Sequence, residues 1–383
     1  MTGIDHRAVI WAAGACGVMS GAAIAPAIPA IDLALSGAVG GGFWGRLALV
    51  LPAIVIMGLG PWIGRRTAGL DQRRGFAAAL CALAGFGVLG GLATSHGWLL
   101  ASRIGLGVST AAVLCFATAA LATLFRGPER AQVIDRQSAI NTLGGVVFVL
   151  AGGVLAQLGW RVPFLLYLLA LPVAWQAARM AWPAPTALPD KRPDLAAIRA
   201  PIVTLGVAMT AFYLVPVQAP FMPALSGFPS LAGLTIASAT LIGGLVSWNS
   251  GGLRQAASDR VVEAGGLALL LLGLLEFGLG TSVPALLLAA GMIGAGFGAL
   301  LPLTVQRILA QCGPDTAHAA AGLIASALYA GQVGASALAF GFGIGGPRLP
   351  FLIAAAGLGL GLFLWVNRQQ LGPWRHWIVE HMA

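Results

Sequence analysis

The chain has 383 residues, 58% of them apolar, only 9% charged, and a mean hydropathy of +0.89. Soluble domains carry roughly 25% charged residues, and so sparse a supply cannot cover a water-facing surface of this size. A soluble globule is excluded, and lipid becomes the expected solvent: a dozen crossings of about 20 residues would use roughly 240 positions and leave only short connections.

The net charge of +9 does not point to nucleic acid, because a membrane protein that gathers Lys and Arg on one side is basic for that reason alone. Cys16, Cys81, Cys115 and Cys312 show no paired spacing, so neither a disulfide framework nor a zinc site is expected. The glycine-rich stretches lack the strand-turn-helix context of a nucleotide site, and no phosphate loop is present. No cofactor is expected, and with no catalytic cluster an enzyme is disfavoured.

Apolar runs bounded by charge clusters or Gly/Pro turns predict twelve helices over 8–30, 45–64, 75–94, 98–125, 134–157, 161–182, 200–220, 230–250, 261–280, 283–306, 317–342 and 349–368. The first follows Arg7 and precedes many similar segments, so it reads as a span rather than a leader. Continuous Leu, Ala and Val runs favour helices over barrel strands. Arginines cluster at alternate connections: Arg65, Arg66, Arg73 and Arg74; Arg126, Arg130 and Arg136; Arg254 and Arg260. That asymmetry predicts both termini in the cytoplasm, in a bacterial-type inner membrane. A proline-rich polar stretch divides the spans six and six. The expected organisation is an N-terminal six-helix bundle over 1–182, a cytoplasmic linker over 183–199, a C-terminal six-helix bundle over 200–368 and an interfacial tail over 369–383.

An internal repeat supports the division. Gly159-Trp160-Arg161-Val162-Pro163-Phe164 opens helix six, and Gly346-Pro347-Arg348-Leu349-Pro350-Phe351 opens helix twelve, 187 residues later; the same shift carries Gly64 onto Gly251. Two halves of common descent would produce that register, and parallel repeats of this kind build some transporters.

At these landmarks the sequence resembles the major facilitator superfamily, most of all its twelve-helix drug:proton antiporters. Arg103, Gly107 and Ser109 are similar to the family's helix-four Arg-x-x-x-Gly-x-Gly pattern, with Ser at the last place. Gly144, Gly152-Gly153 and Gly159-Trp160-Arg161 with Phe164 resemble its helix-five motif, although Phe148-Val149 stands where Gly-Pro is usual. Between helices two and three, Gly60-Pro61-Trp62-Ile63-Gly64-Arg65-Arg66 keeps the glycine and basic residues of the signature loop but has Gly64 in place of its aspartate. In the family that loop controls the inward gate by charge pairing; here Asp71 or Asp135 could substitute, or the arginines could serve topology alone. The resemblance implies an all-α membrane fold of two pseudo-symmetric six-helix bundles, with helices 1, 4, 7 and 10 around a cavity, flanked by 2, 5, 8 and 11.

Candidates for coupling or gating are Arg103, whose guanidinium is costly at depth unless it meets water, substrate, a carboxylate or neighbouring carbonyls; Asp32 and Arg46, flanking the first outer loop; Glu276, an acid well inside an apolar span; and Arg65, Asp71 and Asp135. Each also has a structural reading as a rim pair, a packing bond or a topology signal. Candidates for the substrate cavity are Asn141, Thr142, Tyr213, Gln218, Trp248, Asn249, Gln306, Tyr329 and Gln332, neutral polar and aromatic groups that suit a small amphipathic solute or serve as helix-packing glue. The expected function is alternating-access, proton-coupled export of small hydrophobic or amphipathic compounds, drug-like or siderophore-like. A proton symporter importing a small organic solute stays open, as does a non-transporting receptor or scaffold. The expected partners are a small-molecule substrate, protons and the lipid bilayer, and the expected state is a monomer.

Overall fold

The computed structural model describes residues 6–36, 43–180, 193–225, 229–312, 316–342 and 346–362, and within them the chain is helical. In order come α1 (His6–Ala22), α2 (Ile28–Ser36), α3 (Phe43–Ala68), α4 (Gln72–Gly91), α5 (His96–Leu124) and α6 (Gly127–Ala156). A 3-10 segment, Val162–Leu169, leads into α7 (Ala170–Ala177). Then follow α8 (Leu195–Gln218), α9 (Pro229–Trp248), α10 (Ser250–Ala256), α11 (Asp259–Leu279), α12 (Val283–Gln311), α13 (Ala317–Phe342) and α14 (Leu349–Leu362). Among the described residues ten helices are long and apolar enough to cross a bilayer, and the shorter apolar helices Val162–Ala177 and Leu349–Leu362 make up the expected twelve.

Local chemistry explains where the elements start and stop. Asp71 accepts the Arg74 amide at 2.9 Å at the head of α4, and Ser95 and Ser282 cap α5 and α12 in the same way, each satisfying one of the amides left free at a helix start. α1 ends before Pro26, and its line continues through a 3-10 turn into α2, as a proline at the head of a turn dictates. The expected fifth helix begins earlier than its apolar run: α6 takes in polar residues 127–133, since a helix can run past the hydrocarbon as long as its backbone stays bonded. The linker predicted at 183–199 is described only from residue 193, where Asp194 caps α8; the tail at 369–383 lies outside the described residues.

The 187-residue repeat extends to the helices themselves. α5 and α12 start and end at the same 187-residue offset. Gly159 and Gly346, also 187 apart, both adopt positive φ, at 141° and 99°, a region where glycine is nearly obligatory. Phe164 and Phe351 are both fully buried just beyond.

Glycine sets how closely the helices approach, as expected where lipid offers no hydrophobic drive between them. A Cβ on Gly322 of α13 would lie 2.3 Å from the Gly60 carbonyl of α3, and one on Gly298 of α12 would lie 2.2 Å from the Gly243 carbonyl of α9. At both places backbone touches backbone.

Candidate functional site

One end of the helix array, its basic face, carries Arg65 and Arg66 of α3, Arg73 and Arg74 of α4, Arg130 and Arg136 of α6, Arg254 of α10, Arg260 of α11 and Arg307 of α12. The hydrogen bonds, ion pairs and close packing that join residues before 180 to residues after 193 begin at this face and reach as deep as Tyr329. They form two seams, related to one another by the repeat.

In the first seam, α6 meets α9, α10 and α12. Asp135, 3% exposed, accepts from the Arg254 guanidinium at 2.8 Å on one carboxylate oxygen and from the Gln306 amide at 2.8 Å on the other. Arg254 also donates to the Gln306 side-chain oxygen, and the Gln306 amide reaches the Ala131 carbonyl at 3.4 Å. Both carboxylate oxygens therefore hold a partner from the opposite half, and charge-assisted bonds of this kind are the strong ones. Above the pair, the Arg136 guanidinium sits 5.2 Å from the Trp248 ring centroid, and Gly244 leaves room for Leu143.

In the second seam, α3 packs on α13 without any charge. A Cβ on Gly64 would lie 2.4 Å from the His318 carbonyl and 3.2 Å from the Gly322 Cα. Gly64 is the position where the resembled loop has aspartate, and here no side chain fits. One turn on, the Thr67 hydroxyl donates to the Gly64 carbonyl at 3.0 Å and lies 3.2 Å from His318 Nδ1. The His318 ring stands edge-on to Phe116, and the Ser326 hydroxyl donates to the Met57 carbonyl at 2.8 Å. By the 187-residue offset Thr67 corresponds to Arg254 and Gly322 to Asp135, so one copy of the seam is an ion pair and the other is neutral glycine packing.

The remaining candidates disperse. Asp71 caps its own helix and faces Arg74 at 4.0 Å across exposed surface. Arg65 is exposed, in the last turn of α3. Glu276 is half-buried on α11, its side chain without a hydrogen-bond or ion-pair partner among the described residues. The side chains of Asp32 and Arg46 lie outside the described residues. Trp248 is 48% exposed, its ring facing the Arg136 guanidinium, and Asn249, exposed in the turn between α9 and α10, donates to the Leu245 carbonyl of α9. Thr142 donates to the Ser138 carbonyl, also within its helix. Gln218 is buried at the end of α8, and Gln332 is half-buried on α13. Gln306, expected in the cavity, instead belongs to the ion-pair network at the basic face.

Arg103 is wholly buried among α4, α5 and the 3-10 segment. Its guanidinium donates to the Tyr167 hydroxyl at 3.2 Å and to the Gly87 carbonyl at 3.4 Å, and lies 5.1 Å and 5.5 Å from the Phe164 and Tyr167 ring centroids. A Cβ on Gly90 would lie 2.2 Å from it, so glycine makes room for the charge. Among the described residues no carboxylate reaches it. On α6, Gln137 and Asn141 lie against Gly14 of α1, each with a buried side-chain oxygen that has no partner.

Sequence reasoning did not single out Arg254, Gln137, Tyr167 or His318 as candidates for the site. The offset that pairs Gly64 with Gly251 would have reached Arg254 three residues further on.

The chain matches the Major Facilitator Superfamily model over residues 10–336. Over 153 residues, 36% of its length, it is 33% identical to the cephamycin export protein CmcT of Amycolatopsis lactamdurans, and that match spans 30% of the relative's length. Among solved structures it superposes on the human organic anion transporter MFSD10 (TETRAN) with a TM-score of 0.76 at 15% identity, covering 94% of this chain and 98% of that one. It superposes on the proton:xylose symporter XylE with a TM-score of 0.75 at 12% identity, covering 94% of each chain. For the transporter FucP, captured in the outward conformation, the values are 0.68 and 12%, over 92% of this chain and 96% of that one.

Proposed function

Because the chain belongs to the major facilitator superfamily, whose members are transporters rather than enzymes, we propose that it exports small hydrophobic or amphipathic organic compounds by alternating access, in exchange for protons. The observation that carries this reading is the one-sidedness of the seams: the halves are clamped from the basic face inward to about mid-depth, which is what one end state of a rocking pair of bundles requires. The bundles are residues 1–182 and 200–368, and the basic face lies in the cytoplasm of a bacterial-type cell, with both termini on that side and the chain acting as a monomer. The clamp then shuts the inner gate.

Asp135 and Arg254 form the charged half of that gate, in the role that the signature loop's aspartate plays elsewhere in the family, while Gly64 and Gly322 form the neutral half. Export is supported by the partial match to CmcT. Import by symport is favoured by one feature, Phe148-Val149 in the antiporters' helix-five motif. Reconstitution in liposomes with a trapped pH dye separates the two. Addition of a transported compound to the side facing the basic loops should move protons against it in the export reading and with it in the import reading; a response to no compound under any gradient would refute proton coupling and favour a receptor or a uniporter.

A further inference from the structure

The basic face is charged unequally. α4 and α11 begin at the 187-residue offset, at Gln72 and Asp259, so the residues around the two starts compare place by place. Arg65, Arg66, Arg73 and Arg74 correspond to Gly252, Leu253, Arg260 and Val261. The neighbouring arginines of the C-terminal half are neutralised, Arg254 by Asp135 and Arg307 by Glu263. In the N-terminal half all four arginines are exposed, and among the described residues the carboxylate that faces any of them is Asp71, 4.0 Å from Arg74. The C-terminal half keeps its topology with one arginine at these four places, so orientation in the membrane does not account for the surplus.

Two of the four, Arg73 and Arg74, line an open hollow of about 500 Å³ between the start of α4 and the end of α7, together with Asp71, Ala77 and Ala178. Arg73 Nε donates to the carbonyl of Ala178, the C-cap of α7, which ties the two helix ends together and fixes that guanidinium at the hollow's wall. Asp71 is committed to its own helix, where one carboxylate oxygen caps the Arg74 amide at 2.9 Å. Next to Ala178, the Arg179 guanidinium lies 4.0 Å from the ring centroid of Trp175, which is 63% exposed. A third cation and an exposed indole thus stand at the rim, a pairing suited to the headgroup level of a bilayer.

Further along α4, the side that lines the hollow is built of small residues. Ala77, Cys81 and Gly85 recur at four-residue spacing and so share one face; Cys81 and Gly85 are exposed, and a Cβ on Gly85 would meet nothing within 4 Å. On the 3-10 segment and α7, which pack on α4, Leu168 and Leu171 are exposed. The charged hollow is therefore followed, one and two turns deeper, by a shallow apolar channel.

We propose that the hollow is a headgroup site for an anionic phospholipid of the leaflet at the basic face, its phosphate held by Arg73 and Arg74 and one acyl chain laid along Ala77, Cys81 and Gly85. Guanidinium groups match the oxygens of a phosphate better than any other side chain. A lipid, and not a soluble phosphate, is the occupant because the cations give way to an exposed tryptophan and an apolar channel, neither of which a soluble anion engages. Both helices belong to the N-terminal half, so the site is independent of the seams and of what the chain carries.

Native mass spectrometry of the full chain released from detergent tests this, with phosphatidylglycerol and phosphatidylcholine of identical acyl chains as probes. In the wild type the first phosphatidylglycerol should bind more tightly than the first phosphatidylcholine, by about 5-fold for each arginine that meets the headgroup. Arg74→Gln, which spares the bond from Arg73 to Ala178, should weaken phosphatidylglycerol about 5-fold, and Arg73→Gln with Arg74→Gln should bring it to the phosphatidylcholine level. Asp71→Asn, which can still cap the helix, should tighten it. Arg260→Gln, at the equivalent place in the other half, should leave it as in the wild type. Each variant's melting temperature reports whether it folds. The proposal is overturned if the two lipids bind alike, if a folded double variant keeps the wild-type preference, if Asp71→Asn does not tighten binding, or if Arg260→Gln weakens it as much as the double variant does. Glycerol 3-phosphate that binds as tightly as phosphatidylglycerol would assign the hollow to soluble phosphate esters and overturn the lipid as occupant.

Discussion

Asp135→Asn isolates the charged half of the clamp. In the closed arrangement Asp135 holds Arg254 and Gln306, each at 2.8 Å, and is itself 3% exposed. Leaving a buried ion without its partner costs about 3–5 kcal/mol. Arg254, however, keeps its bond to Gln306, and its side chain is 15% exposed, so roughly 2 kcal/mol should fall on the closed form. Opening the basic face hydrates Arg254 and escapes that cost, so the penalty appears as a shift of about 30-fold toward the open form. The measurement is a spin-label distance between Arg126→Cys and Arg260→Cys, exposed positions on opposite halves, with Cys81 and Cys312, the two cysteines that are not fully buried, replaced by serine. Arg254→Gln should act in the same direction, and the double variant should fall short of the sum by roughly 1–3 kcal/mol, as groups in contact do. An unchanged distance distribution in Asp135→Asn, or strict additivity in the double variant, would refute a gate held by this pair.

Gly64→Asp, which restores the residue of the resembled loop, drives a Cβ to 2.4 Å from the His318 carbonyl; it should cost about 1–3 kcal/mol in overpacking and open the second seam in the same spin-label assay, while Gly58→Ala, with open space around it, should not. Arg103→Ala leaves a void between Gly87, Gly90 and Phe164 and should lower stability by about 3 kcal/mol, read as a fall in melting temperature; a wild-type melting temperature with transport abolished would instead return Arg103 to the coupling chemistry. Glu276→Gln should leave the pH profile of flux unaltered, because that side chain has no bonding partner among the described residues; a displaced profile would show that it carries protons.

Much of the architecture was legible because its causes are local. Apolar runs and their interruptions predicted the crossings, and the bounds 317–342 coincide with those of α13. The repeat was legible from two glycine landmarks, since Gly159 and Gly346 are confined to a backbone conformation that other residues avoid. The absent aspartate at position 64 was visible as a departure. Its reason, a carbonyl from α13 pressed against the same spot, was not.

Sequence alone determined that this chain lives in lipid, how many times it crosses and that its halves match, because hydropathy, charge asymmetry and turn chemistry act on neighbours along the chain. Only the tertiary structure decided that Asp135 meets Arg254 while Asp71 caps its own helix, that Gln306 joins the pair, that Arg103 is enclosed by Tyr167 and Phe164, and that Tyr167 and Tyr329, from opposite halves, both reach backbone carbonyls of α1. The physical reason is range. A hydrogen bond or ion pair is settled within about 3 Å, and which side chains come that close depends on how glycine-lined helices from two repeats slide together, a relation that no single stretch of sequence contains.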